Sequence, residues 1–439
     1  MKTSLFTLFL TFFALCTYAQ KLTGRYEGAV SRDGSIQLVN FDFFVDGKIQ
    51  KGTYEIPENG SFDVPIDEIL FKNDTLCLRF YFGNFFCFYD TLKTQITGIS
   101  EKWDPKIRLH VKKSSEVNKP YRKEEITFTN NNVSLSGMLY HPVQSNNTNT
   151  KYVILVHGSG AQNRFSPYYI SLGYALSKRG FGVLLYDKRG TGKSTGDYLT
   201  ASMQDLAGDA NAAMKYLRNR NDLKIDEVGY LGTSQGGWVA SIAANNTEKC
   251  DFLILNVGPA VSVFDQDMHR VEYSMKNDGW EQTSIDSALA YTKLYFIYAQ
   301  SNKNTDWKKL ENMIEQTQSK PWAEYLNFPE NKDDFTWWRL NNFDPKNTLT
   351  KIPCRTLAIF GENDVLVPPI ENKTKMEEYL TMAGVNFDIV VIEGATHDMR
   401  TYHGLNGNNW NWPQVYWQWR IQPTSYIESI TEFLVNSKK

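Results

Sequence analysis

The sequence of 439 residues has little cysteine, little histidine and almost no net charge. Its five cysteines are too few for a disulfide scaffold, and no group of His and Cys has the spacing of a metal site. We therefore expect no metal and no cofactor. A net charge of −2 argues against nucleic acid or an anionic membrane as the main partner. With 41% hydrophobic and 22% charged residues, the composition is typical of a globular protein of two or three domains.

Long apolar runs are also missing, except at the N-terminus. Lys2 precedes an apolar run from Leu5 to Leu15, and Thr17-Tyr18-Ala19 forms a small-x-small cleavage site. Because this run is too short to span a bilayer, residues 1–19 are predicted to be a signal peptide. The mature chain is then expected to begin at Gln20 and to be exported, to the periplasm or out of the cell. No later segment is predicted to cross a membrane.

Residues 20–118 are predicted to form a small antiparallel β domain. Alternating segments such as Ile36–Phe44 and Leu76–Phe82 are separated by turn dipeptides, as in a small sandwich or barrel. The polar segment Lys112–Lys123, which contains Pro120, is predicted to be a linker.

Four cysteines remain in the mature chain, and we expect buried thiols rather than bridges. A predicted turn at Gly83-Asn84 places Cys77 near Asp90 and not near Cys87, so a disulfide between those two cysteines is not expected. The sequence leaves the state of Cys250 and Cys354 open.

From residue 124 to residue 439 the pattern is that of an α/β domain. After a hairpin, apolar runs alternate with amphipathic segments, which indicates a mostly parallel sheet with helices on both faces. The predicted strands are Tyr152–Val156, Gly182–Tyr186, Glu227–Leu231, Phe252–Val257, Thr356–Phe360 and Phe387–Ile392. The predicted helices are Tyr168–Arg179, Met203–Arg220, Trp238–Asn245, Asn372–Met382 and Tyr426–Asn436.

The central motif is Gly232-Thr233-Ser234-Gln235-Gly236, which fits G-x-S-x-G between a predicted strand and a predicted helix. In this arrangement the serine lies on a strained corner with its hydroxyl exposed above the sheet. A serine of this kind needs a base, and the base needs an orienting carboxylate. The motif alone is weak, because glycine and serine also form ordinary turns.

Asp364 and His397 are the predicted carboxylate and base, since each follows a predicted parallel strand. They therefore belong at the sheet edge that carries Ser234, and the chain order Ser, Asp, His is that of hydrolases with G-x-S-x-G. Glu362 and His403 are the nearby rivals.

The backbone N–H groups of Gln235 and Ser159 are predicted to form the oxyanion hole. His157, at the start of the same loop as Ser159, is interpreted as a structural residue that fixes the loop by hydrogen bonding. The segment Tyr186–Ser194 looks like a phosphate-binding loop, but Asp187 occupies the place of the first glycine. It is therefore predicted to be a strand-to-helix turn of the core.

Several motifs in order resemble the α/β-hydrolase superfamily: HGSG, YDKRGTGKS, GTSQGG, G-x-x-D-x-x-V-P and GATH. The whole layout resembles exported bacterial esterases with an N-terminal β domain, which are often labelled serine aminopeptidase-like. This resemblance implies an α/β-hydrolase fold and assigns Ser234, Asp364 and His397 as the catalytic triad.

The interval between Val257 and Thr356 is much longer than a sheet crossover requires. We expect residues from about 262 to 347 to form a helical cap over the site. Its aromatic residues are interpreted as cap core more than substrate wall, whereas Trp410–Trp419 is predicted to lie at the pocket rim or against the sheet.

The sequence favours a serine hydrolase that cleaves a small-molecule carboxylic ester through an acyl-enzyme. An exported serine peptidase with the same triad is the alternative, because the sequence barely separates the two. A non-catalytic protein that binds a glycan or a partner is the third hypothesis, and the intact triad argues against it. Acyl and alcohol specificity, the role of the β domain and the oligomeric state stay open.

Overall fold

The computed structural model describes residues 21–436, apart from 33, 73–74, 144–149, 248 and 403–419. It contains two large sheets, one nine-stranded and antiparallel and one eight-stranded and mostly parallel, and a short antiparallel pair of Thr401–Tyr402 with Arg420–Ile421. The predicted signal peptide, the rival His403 and the Trp410–Trp419 stretch lie outside the described residues.

The N-terminal sheet is a meander with the order β4-β3-β2-β1-β9-β8-β7-β6-β5. Its strands alternate between buried and exposed positions, as in β2, where Val39, Phe41 and Phe43 face inward. The inward residues of the sheet form a single apolar core. The strands are β1 (Gly24–Arg32), β2 (Ser35–Asp46), β3 (Ile49–Ile56), β4 (Ser61–Pro65), β5 (Glu68–Lys72), β6 (Thr75–Phe80), β7 (Gly83–Asp90), β8 (Gln95–Ser100) and β9 (Arg108–Lys113).

The predicted register of the Cys77 hairpin is wrong. Phe80 pairs with Gly83, so the turn lies two residues earlier than Gly83-Asn84, and Cys77 pairs with Phe86 rather than with Asp90. Cys77 and Cys87 therefore lie on adjacent strands but on opposite faces of the sheet, because Cys87 follows Phe86 directly in the chain. Both are free thiols, as are Cys250 and Cys354, and Cys77 is half-buried whereas the other three are buried.

The second sheet has the order β10-β11-β13-β12-β14-β15-β16-β17. In this order, β10 is antiparallel to β11, and β11 is antiparallel to β13. The remaining six strands, including β12, run parallel to one another. The strands are β10 (Tyr121–Asn130), β11 (Val133–Pro142), β12 (Thr150–Val156), β13 (Gly182–Tyr186), β14 (Ile225–Thr233), β15 (Phe252–Asn256), β16 (Arg355–Gly361) and β17 (Phe387–Ile392).

Helices cover both faces of this sheet. Val153 and Leu155 point into a core shared with α1 (Pro167–Ser177) and α10 (Thr424–Val435). Ile154 and Val156, one residue out of phase, point into the core shared with α2 (Met203–Arg218), α3 (Gln235–Asn246) and α9 (Pro369–Ala383). The predicted α/β-hydrolase fold is confirmed, and its continuous apolar strands are explained by burial on both faces.

The long interval between β15 and β16 is helical, as predicted. Within it, α4 begins after Ser262, whose side chain accepts a hydrogen bond from the Asp265 amide as an N-cap. The helices are α4 (Val263–Asn277), α5 (Gln282–Ser301), α6 (Asn304–Thr317), α7 (Thr336–Leu340) and α8 (Lys346–Leu349).

The two sheets are joined by direct packing as well as by the chain. Phe62 of β4 stacks on Tyr174 of α1 with ring centroids 4.6 Å apart, and its amide donates to Ser171 Oγ at 3.0 Å. In the segment predicted to be a linker, Lys119 forms ion pairs with Asp42 and Asp63 of the β domain. The connection is therefore held against that domain.

In the described ranges, none of the helices combines the length and the apolarity that crossing a membrane requires.

Candidate active site

Ser234 occupies a strained corner between β14 and α3. Its φ of 55° and ψ of −124° are unusual for a residue with a side chain. Both flanking glycines are sterically required: a Cβ on Gly232 would lie 2.1 Å from the Gly236 carbonyl oxygen, and a Cβ on Gly236 would lie 2.3 Å from the Val156 carbonyl oxygen. The sequence therefore folds into a corner that presents the serine at the carboxyl end of β14.

The predicted carboxylate and base meet in the structure. His397 Nδ1 lies 2.7 Å from Asp364 Oδ2. The other carboxylate oxygen of Asp364 accepts hydrogen bonds from the amides of Leu366 and Val367, each at 2.8 Å. Asp364 is fully buried, whereas a quarter of the His397 side chain is exposed. A buried acid thus fixes a histidine that solvent and a ligand can still reach.

The charge of Asp364 sets the electrostatics of His397. Burial alone lowers the pKa of the imidazole, but the adjacent Asp364 carboxylate outweighs it and raises the pKa above its ordinary value, with a further contribution from Asp398. The rival carboxylate Glu362 points elsewhere, because its Oε2 accepts from the Gly394 amide at 2.8 Å.

Ser234, Asp364 and His397 follow β14, β16 and β17, so all three lie at the carboxyl edge of the parallel strands. Among the described residues no hydrogen bond joins Ser234 Oγ to His397. Such bonds are often long in unliganded sites and tighten when substrate binds. The catalytic roles of the three residues therefore stay predictions that this geometry permits.

The loop after β12 packs against Ser234 at the place predicted for the oxyanion hole. A Cβ on Gly158 would lie 3.5 Å from Ser234 Cβ. Lys188 Nζ donates to the carbonyls of Gly158 at 2.7 Å and Gly160 at 3.2 Å. The C=O and N–H of a trans peptide point in opposite directions. Lys188 therefore turns the Ser159 N–H away from itself and leaves it free to donate.

Lys188 also contacts Gln235, the second residue predicted to donate to the oxyanion. The sequence predicts no role for Lys188 in the site. Its Nζ lies 3.4 Å from Gln235 Oε1, and no carboxylate pairs with it among the described residues. Burial lowers the pKa of Lys188 to about 8. One buried ammonium thus joins the loop that carries Ser159 to the side chain of Gln235. A lysine in a glycine-rich turn gives no sequence signal of burial, so only the fold reveals this role.

The interpretation of His157 needs correction. Neither ring nitrogen makes a hydrogen bond of standard geometry, although the Tyr186 carbonyl is near enough to raise the pKa slightly. The ring instead packs edge-on against Tyr169 and Tyr186, with centroids 4.8 Å apart in each pair. Burial and the nearby Lys188 lower its pKa to about 3. His157 is therefore a neutral packing residue, and Tyr169 fixes the loop by accepting from the Gly158 amide at 2.7 Å.

Asp187 accounts for the turn that resembles a phosphate-binding loop. Its carboxylate accepts from the amides of Arg164 at 2.9 Å and Lys193 at 2.8 Å, and pairs with the Arg164 guanidinium. The acid is completely buried. The segment is thus a structural turn that supports the loop beside Ser234.

A testable consequence concerns pH. Turnover should rise as His397 loses its proton, at a pH above the ordinary pKa of histidine, and fall near pH 8 as Lys188 loses its charge. Lys188→Met keeps the apolar stem but removes the ammonium group that binds the loop carbonyls and the Gln235 side chain. The kcat should therefore fall by up to about 10²-fold, and the alkaline limb should disappear. Lys193→Met, on the same turn but two-thirds exposed, is the matched control. If Lys188→Met kept the wild-type rate and alkaline limb, Lys188 would have no part in supporting the oxyanion hole.

The helical insertion contacts both the acid loop and the serine helix. Gln266 of α4 donates to the Leu366 carbonyl, and Phe343 packs edge-on against Trp238 of α3. Most aromatic residues of the insertion pack on one another, as Trp338 does on Tyr295 and Phe296. The interpretation as cap core therefore describes most of them.

Two further features of the described residues bear on chemistry. No group of three or more His, Cys, Asp and Glu residues is arranged to hold a metal ion. An open hollow of about 490 Å³ lies in the cap between Tyr295, Phe328 and Trp338, and no triad residue lines it. We assign it no part in the reaction.

Two protein families match parts of the chain. The family described as "Serine aminopeptidase, S33" matches residues 147–321, which include Ser234. The prolyl oligopeptidase family matches residues 284–419, which include Asp364 and His397.

Individual relatives are distant. The uncharacterized protein YfhR of Escherichia coli is 26% identical over 118 residues, which are 27% of this chain and 40% of the relative. The chain thus spans about two fifths of the length of the curated relatives it matches. An esterase of Pyrococcus furiosus is similar in structure, with 21% identity, a TM-score of 0.42 and coverage of 63% of this chain and 84% of the other. A proline iminopeptidase of Mycobacterium smegmatis has 16% identity, a TM-score of 0.43 and coverage of 72% and 98%.

Proposed function

We propose that this chain, a member of the α/β-hydrolase superfamily, hydrolyses small carboxylic esters with Ser234 as the nucleophile. The observation that carries the proposal is the 2.7 Å bond between His397 and buried Asp364, at the sheet edge where Ser234 occupies its strained corner. A solvated loop acid or a surface histidine would not need this burial. A base oriented by a carboxylate does need it.

In the proposed reaction each of these groups has one role. Ser234 Oγ attacks the acyl carbon while His397 Nε2 accepts its proton, and Asp364 stabilises the imidazolium that forms. The Gln235 and Ser159 amides bind the oxyanion of the tetrahedral intermediate. His397 returns the proton to the departing alcohol, which leaves an acyl-enzyme on Ser234. Water, deprotonated by His397, then releases the acid and restores the serine.

The alternative function is a serine peptidase with the same residues, and the descriptions of both matching families favour it. A panel of p-nitrophenyl esters against aminoacyl and prolyl arylamides separates the two. We expect ester turnover with a preference for short to medium acyl chains, because each methylene buried by the cap adds up to about 0.8 kcal/mol until the pocket is full. A higher kcat/KM for an arylamide would favour the peptidase. Absence of turnover on both panels would favour a binding protein.

We also propose that the enzyme acts after export, because of the charged, apolar and small-residue pattern of residues 1–19. Intact mass of the exported protein should correspond to a chain that begins at Gln20, as such or as pyroglutamate. Retention of residues 1–19 would contradict export by cleavage.

A further inference from the structure

The loop that carries His397 lies against the N-terminal β domain. Arg400 Nε donates to the Asn59 carbonyl at 2.7 Å, and Arg400 Nη2 lies 3.4 Å from Ser61 Oγ. A second contact lies beside it, where the Gln422 amide donates to the Glu58 carbonyl at 2.9 Å. The turn at residues 57–61, between β3 and β4, thus holds the loop through its backbone.

The same arginine closes the turn that presents His397. The Thr396 amide and hydroxyl both donate to the Arg400 carbonyl, at 3.0 and 3.1 Å. Between them, Met399 is buried with a φ of 58°, a conformation that a methionine adopts only when its surroundings enforce it. A shift of the Arg400 backbone would therefore shift His397 directly.

Arg400 also controls charge beside the histidine. Its Nη1 lies 3.3 Å from Asp398 Oδ2, and Arg420 Nη1 lies 2.9 Å from the same oxygen. Among the described residues, the other carboxylate that acts on His397 is Asp364, on the loop after β16. Two guanidinium groups therefore hold the Asp398 carboxylate next to the imidazole.

The β domain is shaped for this contact. Gly60 has a φ of 71°, and a Cβ at this position would lie 2.4 Å from Gln422 Oε1. The positive φ thus favours glycine here, and a Cβ would also displace the end of the Gln422 side chain.

We propose that Arg400 is a positioning residue for His397, and that the β domain, through the Asn59 carbonyl, is part of the active-site framework rather than an independent binding module. The proposal rests on the proposed function, because it assigns the β domain a role in the same reaction. On this proposal, a substitution in the β domain changes the rate at which Ser234 reacts.

The test uses the full-length protein with Arg400→Met, Arg400→Lys and Gly60→Ala. The readouts are the rate of fluorophosphonate labelling, kcat and KM for a p-nitrophenyl ester, and the pH profile. Arg400→Met should lower kcat about tenfold to a hundredfold with little change in KM, because the base is misplaced. Its acidic limb should move to higher pH, because Asp398 loses one of its two cationic partners.

Arg400→Lys should recover part of the rate, since an ammonium can still donate to the Asn59 carbonyl but cannot bridge to Asp398 as well. Gly60→Ala should lower kcat in the same direction as Arg400→Met. Tyr174→Ala is the control, because it removes the stacking between the domains without touching residues 57–61. It should lower the melting temperature and leave the pH profile unchanged.

Unchanged kcat and pH profile in Arg400→Met would overturn the proposal. It would also fail if Tyr174→Ala reproduced both effects, since general loosening of the interface would then explain them. Labelling of the wild-type enzyme keeps the two claims separate. A wild-type protein that neither reacts with the fluorophosphonate nor turns over esters refutes the proposed function itself.

Discussion

Replacement of Ser234 by alanine is expected to abolish turnover, with kcat falling about 10⁶-fold, the scale measured when a serine hydrolase loses its nucleophile. The variant should also lose all fluorophosphonate labelling. The physical reason is that the proposed reaction passes through a covalent bond to Ser234 Oγ, and no other atom can form that bond in the same place. Alanine keeps the Cβ and removes only one oxygen.

The fold should survive this change. The strain at position 234 belongs to the backbone, and alanine at a φ of 55° has much the same cost as serine. The corner is enforced by the close packing of Gly232 and Gly236, which the substitution leaves intact. Melting temperature and circular dichroism should therefore match the wild type. Persistent labelling in Ser234→Ala would move the nucleophile to another residue.

The secondary-structure elements around Ser234 could be predicted because the residues of each element reflect its own local environment. The strands Gly182–Tyr186 and Phe387–Ile392 have the predicted bounds. Burial between two helical layers makes Gly182–Tyr186 a continuous apolar run, whereas Phe387–Ile392 is the edge strand, is only partly buried and includes the exposed Asp388. The pairing of Asp364 with His397 also follows from local pattern, because every residue after a parallel strand lies at the same edge of the sheet.

The contacts that position these residues could not be predicted, because they join segments far apart in sequence. Lys188 and Gly158 meet only when β12 and β13 become neighbours. Arg400 and Asn59 meet only when the two sheets dock. Polar residues in loops carry no sign of which distant carbonyl they will satisfy.

The misplaced register at Cys77 has a different cause. The sequence predicts Gly83 in the turn because glycine favours turns, but Gly83 begins β7 and pairs with Phe80. A two-residue shift of a turn keeps every side chain on its predicted face, since strand periodicity is two residues. The pattern of buried and exposed residues is therefore the same in the predicted and the observed register, and only the cross-strand partners differ.

Asp364→Asn is expected to have the second largest effect, a loss of about 10⁴ in kcat with the fold preserved. The asparagine carbonyl can still accept from the Leu366 and Val367 amides, as Asp364 Oδ1 does at 2.8 Å. Its amide group, however, donates where Oδ2 accepted from His397 Nδ1. The imidazole must then carry its proton on Nε2, the atom that has to accept the proton of Ser234.

The pH profile distinguishes this mechanism from simple loss of structure. The carboxylate raises the pKa of His397, so its removal should move the acidic limb of the residual activity to lower pH. Glu362→Gln is the matched control two residues away: a glutamine can still accept from the Gly394 amide, as Glu362 Oε2 does, and kcat should stay near the wild-type value. If Glu362→Gln instead caused the large loss and Asp364→Asn did not, the orienting carboxylate would be Glu362, and the bond between Asp364 and His397 would have only a structural role.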